Sequence, residues 1–283
     1  MSKVAATCIV TATIAGCSLI SSFDGFGGGI VEPEGGVEAS SGDETGAPDS
    51  NIPTDGSSSG SDAPLGECPA PTDPALYAWF RFEDGSGKTV NDCSGKGNNG
   101  TIDGTGVFTT GRSGGGLMFD GNTTCIDVGL GKAKNLTQFT AAAWVNIDDY
   151  DEAGIARYIT AVSTDADVRG WRFGSEAGGA FGVKVGQAGG PVSLITPPGR
   201  PTKTWIHVGA VYQSGTGVQI FVDGVSVANT PSAPAIIEDN AAHLRFGCFH
   251  SLTAPNYHFS GIMDDARLYT RALSAPEMAA LAQ

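Results

Sequence analysis

The 283-residue chain has no run of eighteen apolar residues, so no segment is expected to cross a membrane as a helix. Basic residues are scarce, sixteen Lys and Arg against thirty Asp and Glu. A nucleic-acid partner is not expected, because phosphates require a basic face. No Cys-x-x-Cys pair is present, which argues against a zinc knuckle or a dithiol redox motif. Gly-x-Ser-x-Gly occurs only in glycine- and serine-rich stretches (residues 56–60 and 111–115) with no helix pattern after them, so it is not read as a nucleophile elbow, and the His-Glu-x-x-His helix and the phosphate loop are missing. There is no internal repeat and no long amphipathic helix.

What is present is unevenly distributed. The formal charge is −14, but residues 18–67 carry ten acidic residues and no basic one, while residues 68–283 carry twenty against fifteen. The C-terminal part is therefore only mildly acidic. Residues 1–17 run from Lys3 through an apolar stretch, Val4 to Ile14, into small residues, the order of a secretory signal. Their last four, Ile14-Ala15-Gly16-Cys17, resemble the lipobox of bacterial lipoproteins. That resemblance implies an acylated Cys17 as the mature N-terminus, and Ser18 after it leans toward the outer membrane of the cell envelope. An ordinary cleaved signal is the plainer alternative.

Residues 18–67 are Gly, Ser, Pro, Asp and Glu with few large apolar groups. Such a segment cannot offset its ordering entropy by burial and is expected to be a disordered tether. Fifty residues of flexible coil span roughly 40 Å root-mean-square.

From Cys68 onward, apolar and polar residues alternate in short runs punctuated by Gly, Asn and Asp. Leu76-Tyr77-Ala78-Trp79-Phe80-Arg81-Phe82 is one such run and Trp205-Ile206-His207-Val208-Gly209-Ala210-Val211-Tyr212 another. Period-two runs at this spacing predict an all-β sandwich of two antiparallel sheets over residues 68–283. Val218–Val222 and Val225–Val227 flank Asp223-Gly224, a pair suited to a primed hairpin turn. Ser274-Ala275-Pro276-Glu277 is a capping box that starts a short C-terminal helix with Leu273, Met278 and Leu281 on one face.

Read in order, several motifs resemble a laminin-G-like, concanavalin A-like jelly roll. They are Trp79–Gly87, the loop Asp92-Cys93-Ser94-Gly95-Lys96-Gly97-Asn98-Asn99-Gly100, Phe119-Asp120-Gly121, Ala143-Trp144-Val145, Trp205–Val208, Phe221–Gly224 and Gly261–Tyr269. The resemblance covers nearly all of residues 75–281 and implies that the first and last strands are neighbours in one sheet. It also implies a calcium site. With terminal strands adjacent, Glu83, Asp92, Asn98 and Asp265 would converge at one end of the sandwich and hold one structural calcium ion, since calcium collects carboxylate and amide oxygens. The alternative is that Asp92 caps backbone N–H groups and Asp264 or Asp265 pairs with Arg267. Strand alternation sends one of the two aspartates inward and one outward. A second acidic run, Asp148-Asp149-Tyr150-Asp151-Glu152, reads as a solvated loop.

In an exported chain disulfides are allowed. With Cys8 and Cys17 in the leader, Cys68, Cys93, Cys125 and Cys248 remain and three pairings are possible. Proximity along the chain favours Cys93–Cys125, leaving Cys68–Cys248. The segment from Phe249 to His258 is rich in rings, and Phe249, His250, Asn256, Tyr257 and His258, with Trp171 from another loop, are the expected ligand-binding residues for a sugar face. The acidic strands of glycosidases that share this fold, and the Arg, Gln-x-His and Tyr clusters of its lyases, are absent. The expected function is thus non-catalytic: a lipid-anchored, monomeric surface module that binds an extracellular carbohydrate. A protein-interaction or adhesion module is the alternative, and an unrecognised glycan-active hydrolase the third reading.

Overall fold

The computed structural model describes residues 66–134, 136–150, 156–161, 169–187, 190–233, 235–236, 241–249 and 257–283. The leader with Cys17, the acidic segment up to residue 65, Asp151, Glu152, His250 and Asn256 lie outside the described residues. No helix among the described residues is long and apolar enough to cross a membrane.

Six strands come first: β1 (Leu76–Phe80), β2 (Thr89–Val90), β3 (Gly100–Asp103), β4 (Val107–Thr110), β5 (Gly115–Asp120) and β6 (Cys125–Leu130). They are followed by β7 (Gln138–Ile147), β8 (Ala156–Ala161), β9 (Trp171–Glu176), β10 (Ala180–Val185) and β11 (Val192–Ile195). Next come β12 (Trp205–Gln213), β13 (Gly217–Val222) and β14 (Val225–Thr230). The chain closes with β15 (His243–Phe246), β16 (Cys248–Phe249), β17 (Tyr257–His258), β18 (Ser260–Tyr269) and the helix α1 (Ala275–Leu281).

Two eight-stranded antiparallel sheets face each other. Sheet A runs β14-β13-β12-β7-β18-β5-β4, with β1 paired to the second half of β18; sheet B runs β11-β10-β9-β8-β15-β6-β3-β2. First and last strands are therefore neighbours, as the resemblance implies. The inner faces meet in one core, where Phe139 of β7 stacks on Trp171 of β9 at 4.2 Å and Phe80 of β1 meets Phe246 of β15 edge-on at 4.8 Å. Each such ring contributes roughly 1.5–3 kcal/mol by leaving water. The β13–β14 hairpin turns at Asp223 and Gly224, both at positive φ (47° and 76°), as a primed two-residue turn requires.

The capping box is formed: the Ser274 N–H donates to Glu277 Oε2 at 2.7 Å. It sets α1 down on the outer face of sheet A. There Met278 is fully buried in a second apolar cluster with Leu76, Ala142, Val211, Phe221, Tyr269 and Leu273. Small residues on the strands below make the seat. A Cβ on Gly209 would lie 2.3 Å from Met278 Cε.

The disulfides differ from the expected pairs: Cys68 bonds Cys93, and Cys125 bonds Cys248. The reason is strand order. Antiparallel pairing of β6 with β15 sets Phe246 opposite Ile126, so Cys248, two residues on, arrives beside Cys125. Cys93 sits next to β1, where its N–H donates to Trp79 O, and the incoming Cys68 meets it there. Chain proximity is a poor guide once β3 stands between them and pairs with Cys125 through Asp103.

Candidate functional site

Of the residues expected to bind ligand, two are buried. Trp171 is 3 % exposed inside the core, and Phe249 is fully buried. Both are corrections: Trp171 takes an inward-facing position of β9 and fills volume between the sheets, and Phe249 is buried within the β16–β17 hairpin against Tyr257. Tyr257 and His258 are half-buried on the short β16–β17 hairpin. Tyr257 lies parallel to Phe249 at 6.2 Å and carries the Arg157 guanidinium over its ring at 5.1 Å, while His258 Nδ1 is 3.1 Å from Thr124 O.

The four residues expected to share an ion fall in two places. Asp92 Oδ1 accepts the N–H groups of Trp79 and Ser94, and its Oδ2 accepts Asn98 N–H and Ser94 Oγ–H. Asn98 donates through Nδ2 to Tyr77 O, and its Oδ1 accepts from the Lys132 ammonium at 2.9 Å. These oxygens are committed to shaping the loop, with a cation already against one of them. Glu83 and Asp265 stand elsewhere, on the outer face of sheet A. Among the described residues no group of three or more His, Cys, Asp and Glu is placed to hold a metal ion.

Glu83 and Asp265 instead line a cleft of about 400 Å³ beside α1, together with Trp79, Arg81, Arg112, Ser113, Trp144, Asp264 and Arg267. Strand register brings them together. On the outer face Trp79 of β1 is paired with Arg267 of β18, and one step along, Asp264 of β18 is paired with Trp144 of β7, itself paired with His207 of β12. Between Asp264 and Arg267 the β18–β7 register shifts by one residue, a bulge centred where Asp265 takes φ 48°. Met263 and Ala266 stay in the core, so the extra residue puts Asp264, Asp265 and Arg267 all on the outer face. Alternation alone would have divided the two aspartates. Bulges re-aim side chains in this way.

The cleft is cross-linked by charge. Arg267 grips Asp265 through Nε at 3.0 Å and Nη2 at 2.9 Å, and the Trp79 indole N–H donates to the same carboxylate. The Arg267 guanidinium also covers the Trp79 ring at 4.4 Å. Burial works against the Arg267 charge, but Asp265 and Tyr269 together more than offset it and its pKa is raised. Arg81 lies 3.7 Å from Glu83. Glu83 and Asp264 together hold the β4–β5 turn: Gly115 N–H donates to Glu83 Oε2 at 2.9 Å, and the Arg112 and Ser113 N–H groups donate to Asp264 Oδ2 at 2.8 and 3.0 Å. A Cβ on Gly115 would lie 2.4 Å from Phe82 O, so the turn can lie this close only with glycine there.

Asp264 is 2 % exposed, and burial, with Asp265 beside it, pushes its pKa up to about 7 despite the two donated hydrogen bonds. His207 is also 2 % exposed, edge-on to Trp144 at 5.4 Å; burial holds its pKa down to about 4, so the ring is neutral at pH 7. Its Nδ1 has no hydrogen-bond partner among the described residues. Arg112 is exposed and lies over Trp144 at 4.8 Å.

Sequence reasoning missed Trp79, Trp144, Arg81, Arg112, Asp264 and Arg267 as one site. A signal was available. Trp79 and Trp205 alternate with residues of the core, and Trp144 shares the outer face with them, whereas Trp171, the tryptophan that was chosen, points inward. Three of the four tryptophans thus lie on one face.

The fold has relatives among solved structures. Domain 4 of AbnA, a GH43 extracellular arabinanase from Geobacillus stearothermophilus solved in complex with arabinotriose, matches 74 % of this chain and 98 % of its own at 19 % identity and a TM-score of 0.53. The binding domain of Paraclostridial Mosquitocidal Protein 1 matches 73 % of this chain at 17 % identity and a TM-score of 0.58, and the botulinum neurotoxin serotype G binding domain 73 % at 14 % and 0.54. The chain spans about half the length of those two toxin domains. At these identities the likeness establishes the fold. A search of curated proteins finds no match. The family model of the laminin-G type matches residues 120–279, more than half of the sequence, and with it the chain belongs to the concanavalin A-like lectin/glucanases superfamily.

Proposed function

We propose that the domain is a non-catalytic carbohydrate-binding module whose ligand occupies the cleft on the outer face of sheet A. One observation carries this reading: the cleft gathers two indoles, three guanidiniums and three carboxylates from three strands, the segment after β1 and the β4–β5 turn. Guanidinium groups donate to sugar hydroxyls and carboxylates accept from them, and the faces of aromatic rings suit the apolar C–H face. The arabinanase domain was solved in complex with arabinotriose, an oligosaccharide, which supports the same class here. Glu83 and Asp264 are tied to the N–H groups of the β4–β5 turn, which favours a binding role over acid–base work.

The test is a glycan array probed with purified protein and with Trp79→Ala and Tyr257→Ala. Binding lost in the first and kept in the second places the ligand in the cleft; the reverse returns it to the β16–β17 hairpin.

A second reading, a protein-interaction module, has its own observation. Val107 and Met118 are paired across β4 and β5 at 51 % and 41 % exposure, the half-buried Ile262 continues the row on β18, and Trp205 lies beyond Asn146 on the same outer face. A blank array would make this apolar row the leading candidate. We further propose, on the sequence of residues 1–67, that Cys17 is acylated and the acidic segment tethers the domain to the outer membrane. Metabolic labelling with a fatty acid, abolished by Cys17→Ala, checks this.

A further inference from the structure

We infer that the cleft selects glycans that carry an anionic group, and that the Arg112 guanidinium receives it. The inference rests on the carbohydrate reading above and names the ligand's charge.

It follows from which cations in the cleft are already neutralised. Arg267 is held by Asp265 through both ends of its fork, and Arg81 stands 3.7 Å from Glu83. Arg112 alone of the three has no carboxylate partner among the described residues; its guanidinium lies over the Trp144 ring at 4.8 Å. An exposed guanidinium over an indole keeps its in-plane N–H donors pointing outward, and those donors match the two oxygens of a carboxylate or sulfate. The group is also pre-positioned. Its backbone N–H and that of Ser113 are bonded to Asp264, and the turn is fastened a second time through Gly115 to Glu83. Little freedom remains to be lost when a ligand arrives. The nearest carboxylates do not compete: Asp265 is engaged by Arg267 and Trp79, and Asp264 is buried beneath the turn with its Oδ2 on two amides. His207, neutral behind Trp144, adds no charge.

The experiment measures binding of purified full-length protein and of Arg112→Gln and Arg112→Lys. The probes are polygalacturonate, the same polymer after carboxyl reduction, dextran sulfate and dextran. Polygalacturonate or dextran sulfate is expected to bind, and whichever does identifies the group as carboxylate or sulfate. Its affinity should fall about tenfold or more in Arg112→Gln, the size of one charge-assisted hydrogen bond, and be partly restored in Arg112→Lys. It should also weaken with added salt. Equal affinity for polygalacturonate and its reduced form, or anion binding unchanged in Arg112→Gln, overturns the inference and leaves the carbohydrate reading standing. Failure of all four polymers together with a blank glycan array overturns both. Arg112 is exposed, so an unchanged melting temperature for the variants confirms that folding is not what is being read.

Discussion

The outer face of sheet A is two surfaces built on the same strands. At one end of β7, β12 and β18 the outward residues are Ala142, Gly209, Val211 and Tyr269, and α1 lies on them with Met278 sealed underneath. A few residues along, the outward residues are Trp144, His207, Asp264, Asp265 and Arg267, and the surface stays open as the cleft. The difference is side-chain volume and charge. A helix can approach a sheet closely where the strands offer glycine and alanine, and the buried apolar area then repays the ordering of the chain end. Where Trp79, Asp265 and Arg267 stand up from the strands, covering them would strip charges of water at a cost the helix could not return. The open half is therefore left uncovered by the protein's own helix.

The largest expected effect breaks the sealed half. Met278→Ala removes a fully buried side chain from beneath α1 and should cost about 2–5 kcal/mol in denaturant unfolding. The next breaks the open half while sparing the fold. Asp265→Gly suits the positive φ of the bulge yet removes the acceptor shared by Trp79 and Arg267. Glycan affinity should fall at least about tenfold, while stability stays within about 2 kcal/mol, because backbone relief and the lost pair oppose each other.

Asp264→Asn sharpens the comparison through pH. The folded-state pKa of Asp264 is raised from 3.8 to about 7, chiefly by burial, so between those values the folded state holds a proton that the unfolded state has released. The contribution is fully present below pH 3.8 and is lost as pH rises through about 7. Asparagine can still accept from Arg112 and Ser113 without burying charge. The variant should match the native melting temperature near pH 4 and exceed it at pH 8; an equal loss at both would overturn the assignment.

Smaller still, Ser274→Ala should cost about 1 kcal/mol by opening the capping box at the start of α1. At the bottom of the scale, EDTA is expected to leave the melting temperature unchanged, since the oxygens of Asp92 and Asn98 already have donors.

What could be read from the sequence was local or periodic. The Asp223-Gly224 turn and the Ser274–Glu277 cap each depend on four or so neighbouring residues, and both formed as expected. The adjacency of β1 and β18 followed from the family resemblance. The site was harder because it depends on which face each residue occupies. β7 is buried at nearly every position from Phe139 to Val145, since the inner face meets the core and α1 covers part of the outer one, so its pattern gives no parity for Trp144. The bulge at Asp265 breaks the parity of β18 just where the site lies. Aromatic density pointed to the segment after Phe249, but Phe249 turns inward, and density carries no direction. Disulfide pairing was misjudged for a related reason: it follows the order of strands in space, which proximity along the chain does not encode.

The Cys68–Cys93 bond also has a mechanical meaning. It bridges 25 residues, and the bridged stretch contains β1, Trp79, Arg81 and Glu83. Tension arriving along the chain from its N-terminal side passes through the two sulfurs into the loop at Cys93 and bypasses that stretch. The wall of the cleft contributed by β1 is thus out of the load path. A pull on the N-terminal side of Cys68 can strain the Asp92–Gly100 loop without peeling β1 from β18, and the cleft keeps its shape under that load.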